Sequence, residues 1–119
     1  MTAPTADNPT FIEEPGFTGM IVDDSGTIAA REYHNDHVTA DGVKQRVLVS
    51  TVTEEAYRGQ GLAGKIVQYT LDKALDDGYR IVAICPYVQS WLQKHNDARY
   101  EQARDPARPE HFPKEAKHD

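Results

Sequence analysis

The stretch YRGQGLAGKIV, residues 57–67, decides how this chain is read. It carries three anion-cradling patterns at once. From Gly59 it reads G-x-G-x-x-G, the dinucleotide pattern. From Gly59 to Lys65 it reads G-x-x-x-x-G-K, most of a P-loop. From Arg58 it reads R-x-x-G-x-A. All three share one physical idea: glycines let the backbone approach an anion, and the free N–H groups of a helix's first turn hold it.

The flanking sequence separates them. Residues 45–53, QRVLVSTVT, are the most β-branched run in the chain and predict a central strand. From Gly61 the period changes: Ala63, Ile66, Val67, Thr70, Leu71 and Ala74 fall on one helical face. Gly78 is placed to stop that helix. RIVAIC, residues 80–85, reads as a short strand buried on both faces. Pro86 suits the first turn of a second helix, with Val88, Trp91, Leu92 and His95 along one side. Residues 45–85 therefore form one βαβ unit, parallel with a right-handed crossover. Before it, residues 17–22 and 27–33 flank the turn DDSG as an antiparallel hairpin. Residues 34–42 read as a loop. The expected fold is α/β in the broad sense, an α+β mixed sheet: a hairpin plus a βαβ unit with a second C-terminal helix. Residues 1–10 are expected to be a flexible arm, 11–104 the folded domain and 105–119 an irregular tail.

A chain of 119 residues suits one domain with a real core. The single cysteine, Cys85, excludes an internal disulfide and fits a reducing compartment. The N-terminus lacks signal-peptide character, and no apolar run approaches the ~20 residues of a membrane span, so a cytoplasmic protein is expected. Charge is uneven. Residues 1–55 hold ten acidic against three basic side chains, for −7, while residues 56–119 stand at +1. That field disfavours nucleic acid and tolerates a cationic partner.

The P-loop pattern needs Ser or Thr after its lysine to hold magnesium, and here that residue is Ile66. The dinucleotide pattern needs its glycines directly after the strand and an acidic residue ending the next strand. Here EEAYR intervenes and the next strand ends in Cys85. The third pattern has its context: strand, crossing loop, then a helix starting near Gly61.

At these residues the chain resembles the GNAT superfamily of N-acetyltransferases. RGQGLA is similar to its R/Q-x-x-G-x-A/G signature. CPYVQSWLQKH, residues 85–95, resembles a compact subgroup with a C-terminal C-P-Y/F-V signature. The likeness runs from about Phe17 to His95. It implies an acetyl-CoA binder whose pyrophosphate sits on Arg58, Gly59, Gln60, Gly61, Leu62, Ala63 and Gly64, with Lys65 beside them. It implies a pantetheine arm between the strands ending at Thr53 and Cys85. The chain departs from the subgroup where Ser50 replaces a frequent histidine, and where HNDARY stands in place of H-P-E-Y.

Acetyl transfer to an amine needs a neutral amine, a home for the oxyanion and a proton for the leaving thiolate. An alkyl ammonium with a pKa near 10.4 needs a base. Glu54 and Glu55 close the central strand and are candidates, against the plainer reading of solvated carboxylates. Backbone N–H groups near Val52 and Thr53 are the expected oxyanion donors. Cys85 ends a buried strand at a helix start, which lowers a thiol's pKa. It is read either as an acyl-carrying or positioning thiol or as a small buried apolar residue. Tyr87 can protonate the thiolate, as tyrosines on the following helix do in many GNAT enzymes, or can be a packing aromatic. His34, Asp36 and His37 read as solvated loop residues, His95 as packed or at the CoA edge rather than catalytic, and His111 and His118 as silent. No metal is expected. The activity expected is N-acetyl transfer to a primary amine on a small molecule or protein, with no nucleic acid or membrane partner. The alternative is a CoA-binding module without transfer.

Overall fold

A computed structural model describes residues 3–112. The outermost parts of the expected arm and tail, residues 1–2 and 113–119 with His118, lie outside the described residues. Six strands form one mixed sheet in the order β1-β2-β3-β4-β5-β6. The strands are β1 (Thr10–Glu14), β2 (Phe17–Ile21), β3 (Ile28–Val38), β4 (Lys44–Thr53), β5 (Arg80–Ala83) and β6 (Arg104–Asp105). The first four pair antiparallel, and β4, β5 and β6 are parallel. The helices are α1 (Leu62–Asp76), α2 (Pro86–His95) and α3 (Ala98–Ala103). This is the mixed α/β architecture the sequence predicts, with three additions.

The first addition is β1, which extends the hairpin to a meander through the Pro15-Gly16 turn. The second is the far half of β3. Residues 34–38 are not loop but strand, paired from His34↔Leu48 to Val38↔Lys44. Their polar side chains hid this, because an edge-like polar run in a sheet looks like a loop until its partner strand is known. The true connection is short: Thr39 N–H donates to the Val43 carbonyl at 2.9 Å. The third is the C-terminal segment, where the short helix α3 forms, β6 pairs with β5 and a 3-10 turn at Pro109–His111 follows, so the tail expected to be irregular from residue 105 begins as structured chain.

Helix α1 buries Ile66, Val67, Thr70, Leu71 and Ala74 of the face read from sequence, with Leu62 rather than the half-buried Ala63 completing it. Its end is fixed at Gly78, whose φ of 81° is open to glycine, with Gly78 N–H on the Leu75 carbonyl and Tyr79 N–H on that of Ala74. Val67 and Leu71 pack with Leu48, Ile81, Val88, Trp91, Leu92 and Tyr100 in one cluster, which places α1 and α2 on the same sheet face. Ile66 and Leu62 join Met20, Val22, Ala29 and Ala30 in a second. Burying each such large aliphatic side chain contributes about 1.5–3 kcal/mol, which anchors α1 across β2 to β5 and so aims its N-terminus.

Candidate active site

The site is made where the sheet comes apart. β5 pairs with β4 only from Gln45 to Leu48. The Leu48 carbonyl then accepts from both Ile84 and Cys85 N–H, at 3.1 and 3.0 Å, and the ladder stops. Ile84 and Cys85, read from sequence as strand, thus lie beyond β5, which ends at Ala83. From Val49 to Thr53, β4 runs on against β3 alone. Its β5-side backbone groups line a V-shaped gap, open to a hydrogen-bonding ligand. Val52 and Thr53 lie on this unpaired stretch, opposite Arg31 and Ala30.

A bulge sits at the fork. Tyr33 opposes Ser50 and His34 opposes Leu48, so Val49 is an extra residue on β4. Leu48 faces the helices. Simple alternation would continue that face with Ser50 and Val52. The extra residue reverses the phase, so that Thr51, opposite Glu32, and Thr53, opposite Ala30, face the helices instead.

The connection to α1 crosses the mouth of the gap. A 3-10 turn at Glu55–Tyr57 is tied to the β2–β3 turn by Tyr57 Oη donating to Asp23 at 2.8 Å. Hydrogen bonds from Ser25, then from Tyr57, hold the Asp23 carboxyl below the usual range. Gly59 and Gly61 follow with φ of 86° and 73°, a region L-residues avoid. Gly61 is the N-cap of α1 and has no side chain to cap with, so the first-turn N–H groups of residues 62–64 are left for an anion. Leu62 is buried, Ala63 half-buried and Gln60 exposed, so this loop offers backbone rather than side chains. Arg58 Nε reaches the Thr53 carbonyl at 3.4 Å and holds its guanidinium at the end of β4. Lys65 points elsewhere: its ammonium donates to the Ala6 carbonyl and lies 3.8 Å from Asp7. A methyl placed on Gly64 would lie 3.5 Å from Trp91 Nε1 and 3.7 Å from Tyr87 Oη. Tyr87 therefore overhangs the first turn of α1 from α2, with its ring 42% exposed.

The expected carboxylates part company. Glu54 is held by Arg31 at 2.9 Å on the surface. Glu55 is exposed on the 3-10 turn and has no ion pair among the described residues. Cys85 is the N-cap of α2, only 4% exposed, with its Sγ 3.4 Å from Thr51 Oγ1. Thr51 Oγ1 in turn hydrogen-bonds Glu32 Oε1. Glu32 is fully buried, and its Oε2 has no partner among the described residues. Burial pushes its carboxyl up to about 8, against the lowering pull of Thr51. The sequence reading missed Glu32 and Thr51. One signal was there: in Ala30-Arg31-Glu32-Tyr33-His34 the glutamate alternates in phase with Ala30, on the core side.

Among the described residues, His34, Asp36 and His37 form no shared ligand group. His34 is buried in β3, with Nε2 3.0 Å from Thr18 Oγ1, and burial lowers its pKa. Asp36 pairs with Arg46. Both are strand residues rather than the solvated loop expected. His95 stacks on Trp91 at 3.8 Å and donates Nδ1–H to the Trp91 carbonyl. His37, Glu110 and His111 lie close together. Both ring nitrogens of His111 are already used, Nδ1 by the Arg108 N–H and Nε2 by the Gln45 Oε1. Ligation through either ring nitrogen of His111 would displace a hydrogen bond it already makes.

The sheet splits after Leu48, a loop crosses the mouth of the split, and α1 begins after Gly61. Independently, the sequence matches the GCN5-related N-acetyl-transferase family over residues 19–102. The chain belongs to this family. Among solved structures it is similar to a ribosomal-protein-alanine N-acetyltransferase from Brucella melitensis biovar Abortus 2308. That likeness has a TM-score of 0.50 and 22% identity, covering 76% of this chain and 64% of the other. It is also similar to a glucosamine-6-phosphate N-acetyltransferase from Arabidopsis thaliana, with a TM-score of 0.49, 17% identity and coverage of 69% of this chain and 58% of the other. The chain thus spans less than two thirds of these relatives' length. No curated protein sequence matches it. Within the family fold, no helix among the described residues precedes β4, and none is long and apolar enough to cross a membrane.

Proposed function

We propose that this chain transfers an acetyl group from acetyl-CoA to a primary amine, as a member of the compact subgroup with the C-P-Y-V signature. The observation that carries the reading is the position of Cys85 at the fork of β4 and β5, facing a helix start opened by Gly59 and Gly61. The pyrophosphate would rest on the N–H groups of residues 62–64 with Arg58 beside it, and Lys65 would join only by leaving Ala6. The pantetheine arm would add the missing ladder partner to β4, along Val52 and Thr53. Cys85 stands where the acetyl group would arrive, and Tyr87 overhangs the same gap as a proton donor for the departing CoA thiolate. Glu55, unlike Glu54, has a carboxylate free to take the amine's proton. The reducing interior of the cell suits a chain that relies on a lone thiol.

The test is release of free thiol from acetyl-CoA on addition of an amine panel, with acetylated product identified by mass. Amine-dependent release at a rate above the uncatalysed reaction is expected. Binding of CoA with no release across the panel would leave a CoA-binding module. That second reading is favoured by one observation, the absence among the described residues of helices before β4 that could wall an acceptor pocket.

A further inference from the structure

We propose that Glu32 is the proton acceptor for Cys85, acting through the Thr51 hydroxyl, so that the only thiol of this chain is a nucleophile activated by a buried carboxylate three residues deep in a hydrogen-bonded line. The proposal rests on the acetyl-transfer reading of the same site.

The geometry sets a direction. Thr51 has one proton. When Glu32 is ionised it can only accept, so that proton goes to Glu32 Oε1, and the 3.4 Å contact from Thr51 Oγ1 to Cys85 must be made by S–H donating. The line then reads S–H to O–H to carboxylate. Moving both protons one step gives a thiolate and a neutral carboxylic acid with no heavy atom displaced. The carboxyl is otherwise hard to explain. It is wholly buried and, among the described residues, has no cation to balance it and leaves Oε2 without a partner. Such a group costs stability that an apolar residue or a glutamine would not.

The charged surroundings are consistent with a tunable carboxyl. Burial raises Glu32 to about 8 and no charged group contributes. On the same sheet face, β2 presents Thr18 opposite Glu32, and Thr18 bonds His34, the next titratable group on β3. Beyond it Asp36 is paired with Arg46 of β4. On β1, Glu13 lies opposite Thr18 and is met by Tyr69 and Lys73 of α1. The residues of α1 packed over this region include Leu62 and Ile66, which carry no charge.

The steps balance. The Cys85 proton passes to Thr51 and the Thr51 proton to Glu32. Sγ forms a bond to the acetyl carbonyl carbon, and the carbon–sulfur bond to CoA breaks, releasing the CoA thiolate. In the second half an uncharged amine attacks the acetyl-cysteine. The amide bond forms and the carbon–sulfur bond to Cys85 breaks. The thiolate recovers its proton from Glu32 by the reverse path, while the amine's proton is taken by Glu55 and replaces the one that Tyr87 gave to the CoA thiolate. Glu32 touches no substrate and is a positioning and proton-holding residue.

Because Cys85 is the only cysteine, alkylation by a small neutral electrophile, followed by intact mass, reports on it alone and needs no acetyl-CoA. The rate is measured across pH in the full chain and in Glu32→Gln, Thr51→Val, Thr51→Ser and the Glu32→Gln/Thr51→Val double variant, each checked for folding by circular dichroism. The wild-type rate should rise with an inflection near 8, the value to which burial raises Glu32. Glu32→Gln and Thr51→Val should both lose that inflection and react roughly 10- to 100-fold more slowly near neutral pH, the lower end of base-assisted effects. Thr51→Ser should retain it, and the double variant should be no slower than either single one, because both changes cut the same line. An unchanged profile in Glu32→Gln, failure of Thr51→Ser to rescue, or multiplied losses in the double variant would each overturn the relay. If the profile changes as expected while no amine is acetylated, the relay stands and the acetyl-transfer reading fails.

Discussion

Cys85 hangs from Leu48: its backbone N–H donates to the Leu48 carbonyl at 3.0 Å, on the same oxygen that receives Ile84. This shared acceptor is the last bond between β4 and the strand beside it. It fixes the thiol at the apex of the gap, with the bulge at Val49 on one side and the start of α2 on the other.

Gly61→Asp should abolish CoA binding, read as loss of the CoA-induced rise in melting temperature. Asp, like Asn, can adopt the left-handed φ of 73° found here, so the decisive change is the carboxylate, which would occupy the anion's place. Gly61→Asn tolerates that conformation without the charge and should keep part of the shift. Equal CoA shifts in wild type and Gly61→Asp would remove the pyrophosphate from this loop.

Gly64→Ala separates a packing glycine from a ligand glycine. The added methyl meets Trp91 and Tyr87 at ordinary contact distances, and alanine in a helix is favoured over glycine by roughly 0.5–1 kcal/mol. The variant should be more stable without ligand and bind CoA more weakly. Unchanged CoA affinity would show that nothing approaches α1 here.

Cys85→Ala should leave the fold and CoA affinity intact, with a stability loss of about 1 kcal/mol for one small buried group. The wild type briefly exposed to acetyl-CoA should gain one acetyl group, lost again on adding amine. Full turnover in Cys85→Ala would reduce the thiol to packing and make transfer direct.

Glu32 gives the folding equilibrium a characteristic pH dependence. A carboxyl raised by burial from 4.5 to about 8 binds more protons folded than unfolded between those values, so its contribution to stability falls as pH rises through that window. His34 is lowered from 6.5 by burial and acts in the opposite sense, adding stability as pH rises towards its unfolded value. Above 6.5 the Glu32 contribution stands alone of the two. The melting temperature should therefore fall from neutral to mildly alkaline pH in the wild type, and fall less in Glu32→Gln. Parallel curves would mean that Glu32 is not protonated in the folded chain.

Glu55→Gln should lower turnover with a cationic acceptor and leave CoA affinity unchanged. Glu54→Gln breaks an exposed pair with Arg31, worth about 0–1 kcal/mol, and should affect both activity and stability little. Added salt should raise the KM of a cationic acceptor, because the −7 of residues 1–55 is screened within about 10 Å at 0.1 M. A larger loss from Glu54→Gln than from Glu55→Gln would reverse this assignment.

What the sequence by itself determined is whatever local physics dictates. The β-branched run before Thr53 makes a strand wherever it pairs. The apolar period of residues 62–74 makes one buried helical face, and Gly59, Gly61 and Pro86 punctuate both helix starts. Those features mark the glycine loop and the helix start that holds Cys85 and Tyr87, and it is the resemblance to the N-acetyltransferase family that implies they meet. The tertiary structure decided what depends on partners. Residues 34–38 became strand only because β4 was there to pair with them, and two-residue β6 exists only against β5. Glu54 and Glu55 are adjacent and chemically alike in sequence, and a single cross-strand arginine distinguishes them. Above all, Glu32, Thr51 and Cys85 lie on three separate segments. Their meeting depends on strand register and on one extra residue, Val49, that turns Thr51 towards the helices. A carboxylate reads the same in a sequence whether water or protein surrounds it, and only packing removes the water.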